Sequence, residues 1–257
     1  MRHITGLDHC VLLVRDLSAA RDTFARLGFT VSPFGRHSAE MGTANHAVML
    51  AGNYVELLGV LEPTPFNQDI CQAVAAREGV AGLALRTDDT AAAVAEARAA
   101  GVTVTEPHRV GRDVGLPGGG TARAEFSIAF FPEVGLPYLQ LFCNEIRTPE
   151  YTWLPELMSH PNTAERVERL GVVTGGADLG ITAAFGDVSV VELVAGEYPE
   201  AVAPGSTVLS LRVRDVEAAR KCLREKEVPF RSTGTGVVVP PRYACGVVVE
   251  MREGEGR

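Results

Sequence analysis

The sequence predicts an α+β protein built from repeated βαβββ modules, paired into curved mixed sheets that enclose a cavity. Three observations carry the prediction. An apolar, strand-like run ending in aspartate recurs along the chain, as His9 to Asp16, Gly82 to Asp89 and Val208 to Asp215. Each aspartate is followed by a helical pattern of about three turns, with Gly28, Gly101 or Glu227 twelve residues after it. Each helix is followed by further strand-like runs.

The first module opens with a strand whose closing residue, Asp16, is suited to cap a helix. Leu17, Ala20, Phe24 and Leu27 then recur at helical spacing and form one apolar face. Gly28 stands where a helix end needs a left-handed residue, and Val/Thr-rich sequence follows as the second strand. Two more strands, Thr43 to Leu50 and Tyr54 to Val60, flank a hairpin turn at Ala51-Gly52-Asn53. The second module repeats the order, with strands Arg123 to Phe131 and Tyr138 to Cys143. The glycine-rich run from Gly115 to Gly120 reads as a loop between its strands. The last module ends with strands at Val237 to Val239 and Gly246 to Met251. Between them, residues 169–174, 180–185 and 188–195 give three strand-like runs with no room for a helix, a truncated module. The Pro-bearing segment Thr148 to Pro161 divides the chain into 1–147, a two-module domain, and 148–257, a degenerate second pair.

Composition narrows the function. The chain has 257 residues, is 46% hydrophobic and 22% charged, and carries a formal net charge of −8. That balance is globular, with no Lys/Arg-rich run, so neither nucleic acid nor an anionic membrane surface is an expected partner. No apolar stretch is long enough to span a bilayer, and the N-terminus has no signal-peptide pattern. Five scattered cysteines without a Cys-x-x-Cys pair point to a reducing, cytoplasmic setting and no thiolate metal site. Nucleophile-elbow, phosphate-loop and dinucleotide-binding motifs are absent from the sequence.

The repeats, together with Leu7-Asp8-His9, Asp16-Leu17, Leu27-Gly28-Phe29, Arg36-His37, Gly42-Thr43-Ala44-Asn45 and Tyr54-Val55-Glu56-Leu57-Leu58, resemble the vicinal-oxygen-chelate superfamily. This superfamily includes glyoxalase, bleomycin-resistance proteins, extradiol dioxygenases and methylmalonyl-CoA epimerase. The local motifs are similar to its glyoxalase-like domain proteins. The resemblance implies two modules closing around a cavity, with a divalent metal usually held on the first and last strands of each. By position those sites are His9 and Glu56, then Gly82 and Gln140, matching Tyr54-Val55-Glu56-Leu57-Leu58 with Tyr138-Leu139-Gln140-Leu141-Phe142. Glycine has no ligating side chain and a neutral amide ligates weakly, so no metal or other cofactor is expected; any divalent ion would rest on His9 and Glu56.

Strand alternation puts Tyr54, Glu56 and Leu58 on one face and Val55 and Leu57 on the other. Tyr138 and Gln140 likewise oppose Leu139 and Leu141. A carboxylate inside an apolar strand needs a partner, and the plain reading is a hydrogen bond between Glu56 and His9 across the sheet. Asn45 is the better pocket candidate of the pair Asn45-His46, whose side chains point to opposite faces. Arg123 and Glu125 share a face: either they look into the cavity, with Arg123 binding an anionic group, or they form an exposed ion pair. His37 reads as a solvated loop residue, and His160 as preceding a helix start capped by Asn162 or Thr163.

The expected function is a small-molecule enzyme of isomerase or lyase type acting on a carbonyl- or enol-bearing metabolite. Glu56 serves as base and His9 positions it or polarises the substrate, with Asn45, Tyr54, Tyr138, Gln140, Arg123 and Glu125 as substrate contacts. The alternative is a non-catalytic protein that sequesters a small molecule, as bleomycin-resistance proteins do. The expected partners are a small-molecule ligand and a second copy in a homodimer.

Overall fold

A computed structural model describes residues 1–116, 119–133, 139–173, 184–185, 188–193, 197–201 and 203–254. The first half contains β1 (Ile4–Val14), α1 (Leu17–Arg26), β2 (Gly35–His37), β3 (Thr43–Met49), β4 (Tyr54–Val60), α2 (Gln68–Ala76), β5 (Gly79–Thr87), α3 (Thr90–Ala99), β6 (His108–Gly115), β7 (Thr121–Phe130) and β8 (Gln140–Ile146). Its eight strands close into a barrel in the order β1-β4-β3-β2-β6-β7-β8-β5. The second half contains β9 (Ala164–Val172), β10 (Ala184–Phe185), β11 (Val188–Glu192), β12 (Thr207–Val213), α4 (Val216–Glu225), β13 (Arg231–Ser232), β14 (Gly236–Val239) and β15 (Val248–Glu253). These form a seven-stranded sheet in the order β10-β11-β9-β12-β15-β14-β13.

One pairing rule generates both sheets. The first strand of a module lies parallel to its last: β1 with β4, β5 with β8, β9 with β11 and β12 with β15. The first strands of paired modules run antiparallel, β1 with β5 and β9 with β12. Parallel neighbours need a crossover connection, and α1, α3 and α4 lie on three of them. Each of these helices starts where an aspartate accepts a backbone N–H: Asp16 from Ala19, Asp89 from Ala92, and Asp215 from Glu217 and Ala218. Each is followed by a left-handed residue, Gly28 at φ 88°, Gly101 at φ 76° and Glu227 at φ 52°. The third copy therefore holds a non-glycine residue in a conformation that disfavours a side chain.

Alternation along the strands sorts the apolar residues into two layers. Cys10, Leu12 and Val14 of β1 face outward into a core that also takes in Phe24 and Leu27 near α1 and Leu170, Leu209, Leu211 and Met251 of the second sheet. Both halves thus share one core. Phe24 is 1% exposed, and its truncation to alanine should cost about 3–5 kcal/mol. Val11 and Leu13 point inward, with Phe126, Ile128 and Phe142. One end of the barrel is covered by residues 149–158, where Trp153, Leu157 and Met158 pack on Ala47, Met49 and Tyr54.

Several local expectations are corrected. The second strand of the first module starts at Gly35 rather than directly after Gly28, because Thr30 is tied to the connecting segment through Ser159 and His160. Helix α2, unexpected from the sequence, fills the link between modules. No helix follows His160: the Asn162 side chain bonds the Leu27 carbonyl and the Ala164 N–H, leading the chain directly into β9. Residues 174, 180–183 and 194–195 of the expected runs between modules lie outside the described residues.

Candidate active site

The barrel interior is divided into a polar arc and an apolar wall. The arc crosses five neighbouring strands, with His9 on β1, Glu56 on β4, Asn45 on β3, His37 on β2 and Arg112 on β6. Facing it are Phe126, Ile128 and Phe130 of β7 and Phe142 of β8. Between them lies a cavity of about 130 Å³. Met41, Phe66, Ile70 of α2 and the exposed Gln140 also line it.

His9 is held from behind. A register irregularity between Leu7 and His9 turns the adjacent Asp8 inward as well, and Asp8 is completely buried. Its Oδ2 accepts hydrogen bonds from His9 Nδ1 at 2.7 Å and Asn144 Nδ2 at 2.8 Å. Arg86 Nε lies 3.6 Å from Oδ1. With Nδ1 committed to Asp8, Nε2 is the ring nitrogen left for the cavity. The His9 ring also stacks on Tyr54, centroids 4.4 Å apart and planes at 22°, and meets the edge of Phe142 at 5.6 Å. Burial pushes the Tyr54 phenol well above its usual pKa, with Asp8 and Glu56 adding to the effect, so it is a neutral wall of the site.

Glu56 is the hub of the arc. Its Oε1 accepts from Asn45 Nδ2 at 2.5 Å and lies 3.7 Å from His37 Nε2; its Oε2 lies 3.6 Å from His9 Nε2. The carboxylate is therefore side by side with His9 on the inner face, at ion-pair rather than direct hydrogen-bond distance. The pairing expected between them is replaced by Asp8 for His9 and Asn45 for Glu56. His37 Nδ1 bonds Thr43 Oγ1 at 2.7 Å. Burial pushes the His37 pKa down, partly opposed by Glu56.

Arg112 alternates with the inward-facing Val110 and Val114 and is 7% exposed. It stands opposite His37 in the β2–β6 ladder. Gly35 makes room for it: a Cβ there would come within 2.6 Å of Asn45 Oδ1 and 2.9 Å of Arg112 Nη1.

The residues present do not fit the divalent-metal site of the resemblance. His9, His37 and Glu56 draw near one another, yet among the described residues no group of three or more histidine, cysteine or carboxylate side chains is arranged to hold one ion. The ladders also shift the expected correspondence. Gly82 pairs with Gln140 as His9 pairs with Tyr54, so the position matching Glu56 is Phe142, two residues beyond Gln140. The second module thus offers a glycine and a phenylalanine where ligands would stand.

The structure brings His9, Glu56, Asn45 and Tyr54 together in the cavity, with Gln140 also on its lining. Tyr138 lies outside the described residues. Arg123 and Glu125 are corrected: both are exposed on the outer face of β7, where Arg123 Nη1 meets Asp113 Oδ1 at 3.2 Å. Ala122, Ala124, Phe126, Ile128 and Phe130 are the inward set, so the apolar side of this strand is the cavity side. His37 is corrected from solvated to interior. Sequence reasoning missed Asp8, Arg112 and Asn144. Val110-x-Arg112-x-Val114 carried a signal for Arg112, a charge on the apolar side of a strand.

The family model described as a glyoxalase-like domain matches residues 7–183. No curated protein sequence matches the chain significantly. Among solved structures, a hypothetical protein from Staphylococcus aureus is similar at TM-score 0.52 and 12% identity, over 97% of this chain and 86% of that one. Methylmalonyl-CoA epimerase from Mycobacterium tuberculosis gives TM-score 0.44 and 19% identity over 58% and 93% of the two chains. A hypothetical protein from Bacillus halodurans gives 0.42 and 18% over 55% and 94%.

Proposed function

We propose that this chain, which belongs to the glyoxalase-like domain family, is an isomerase or lyase acting on a small carbonyl- or enol-bearing metabolite in the barrel cavity. One observation carries the reading: a carboxylate, Glu56, flanked by His9 Nε2 and His37 Nε2 at 3.6 and 3.7 Å, facing a wall of phenylalanine and aliphatic side chains across the cavity. Glu56 removes the proton from the carbon beside the carbonyl. The C–H electron pair moves onto the carbonyl oxygen to give an enolate, which a proton on His9 Nε2 stabilises; Glu56 then returns its proton to a different carbon, or the enolate re-forms the carbonyl as a leaving group departs with that proton. Asp8 orients His9 for this through Nδ1. The apolar wall keeps water from competing and lowers the local dielectric, which strengthens these interactions.

The experiment is proton exchange followed by NMR in D₂O with a panel of small ketones and keto acids. Catalysed exchange is expected for at least one compound. Glu56→Gln should lower its rate about 100-fold or more while leaving the melting temperature nearly unchanged, because shape is kept. Exchange that survives in Glu56→Gln overturns the role given to Glu56.

The apolar wall favours one other reading, a non-catalytic protein that sequesters a small apolar molecule. Under it, ligands raise the melting temperature of wild type and Glu56→Gln alike, and no compound is turned over.

A further inference from the structure

Arg112 is a charged side chain 93% buried, since it is 7% exposed, yet no hydrogen bond or ion pair engages its guanidinium among the described residues. Burying an unpaired cation is costly, and structural arginines inside proteins are paired. The adjacent Asn45 Oδ1 is also buried without a partner. Gly35 lets both groups approach its backbone, since a Cβ there would come within 2.6 Å of Asn45 Oδ1 and 2.9 Å of Arg112 Nη1. Each other residue of the polar arc has at least one hydrogen-bond partner: His9 has Asp8, Glu56 and Asn45 have each other, and His37 has Thr43. Arg112 alone in the arc is left facing the cavity without a counter-charge, and a planar guanidinium is the natural fork for a carboxylate.

We propose that the cavity takes a monoanionic ligand, a small carboxylate with an apolar body, whose carboxylate pairs with Arg112 while its body lies on Phe126, Ile128 and Phe142. One cation matches one negative charge, and Glu56 in the same cavity repels a second. This rests on the function proposed above, and it names the substrate class: a carbonyl compound that also carries a carboxylate. The ligand supplies the pairing that Arg112 lacks among the described residues, so ligand binding and the desolvation of Arg112 are coupled.

The test compares 4-oxo-4-phenylbutanoate with its neutral amide, by calorimetry and thermal melting, on wild type, Arg112→Gln and Arg112→Lys. The acid is expected to bind wild type at least tenfold more tightly than the amide. Arg112→Gln should erase that preference, and Arg112→Lys should keep part of it. The ligand-free Arg112→Gln protein should melt at the same temperature as wild type or higher, because an unpaired buried charge is gone. Equal affinity for acid and amide, failure of the acid to bind, or an unchanged preference in Arg112→Gln overturns the inference. Proton exchange separates it from the reading it rests on. Acid binding through Arg112 without Glu56-dependent exchange sinks the catalytic role alone; exchange on neutral ketones, indifferent to Arg112, sinks the carboxylate alone.

Discussion

Glu56 and Glu250 occupy equivalent positions in the two halves of the chain. Glu56 pairs across a parallel ladder with Val11 and Glu250 with Ser210, and these partners lie the same distance ahead of the capping aspartates Asp16 and Asp215. Their surroundings differ. Glu56 opens on the cavity, whereas Glu250 Oε2 accepts from Tyr198 Oη at 2.9 Å and Ser210 Oγ at 2.5 Å. Burial and then Glu250 push the Tyr198 phenol up to about 12, so it remains a donor at every pH near neutrality. The second carboxylate is thus satisfied by the protein's own hydroxyls.

Tyr198→Phe should cost about 1–3 kcal/mol by removing a donor from a buried carboxylate, measured by urea denaturation. Binding in the barrel should be unchanged. A loss of barrel binding would mean that the two carboxylates are coupled.

Asp8→Ala should be more damaging, about 3–5 kcal/mol, because the fully buried Asp8 serves His9 and Asn144 together and Arg86 lies close by. Chemical denaturation reads the stability, and proton exchange reads the loss of His9 orientation. A variant of native stability would show that the hydrogen bonds of Asp8 carry little.

His37 and His160 give a pH dependence with a definite sign. Burial lowers both pKa values from 6.5, and His160 Nδ1 accepts the Thr30 N–H while Nε2 donates to the Met49 carbonyl, an arrangement that needs the neutral ring. The unfolded chain therefore binds these protons first. Stability is fully present above 6.5 and is lost as pH falls through the window down to the lowered folded values. Melting temperatures from pH 7.5 to 5 should fall, and His160→Gln should flatten the profile. A flat wild-type curve refutes this assignment.

Elemental analysis should find well under one divalent ion per chain, and EDTA should leave the melting temperature within about 2 °C of its starting value, given that a ΔΔG of 1 kcal/mol moves it by only a few degrees. Near-stoichiometric zinc, nickel, iron or manganese, lost on His9→Ala, would contradict the ligand set described here.

The sequence by itself determined the modular fold, because the information was local: an aspartate cap, an amphipathic helix and a left-handed residue repeat at fixed offsets, and period-two alternation assigns the faces of β1 and β4. It also marked Glu56, His9 and Asn45, as polar residues standing in apolar strands. What it did not determine was set by pairing between distant strands. Ladder register decides that Phe142 rather than Gln140 matches Glu56, and a shift of two residues is invisible to a face pattern that repeats every two. A bulge decides that the neighbours Asp8 and His9 both turn inward, against the alternation. Barrel closure decides which face of β7 is the interior, sending Arg123 and Glu125 to solvent, and it carries Arg112 from a distant part of the chain to a place beside His37 and Gly35. Closure is a property of the whole sheet, so only the tertiary structure reveals the guanidinium in the cavity, unpaired among the described residues.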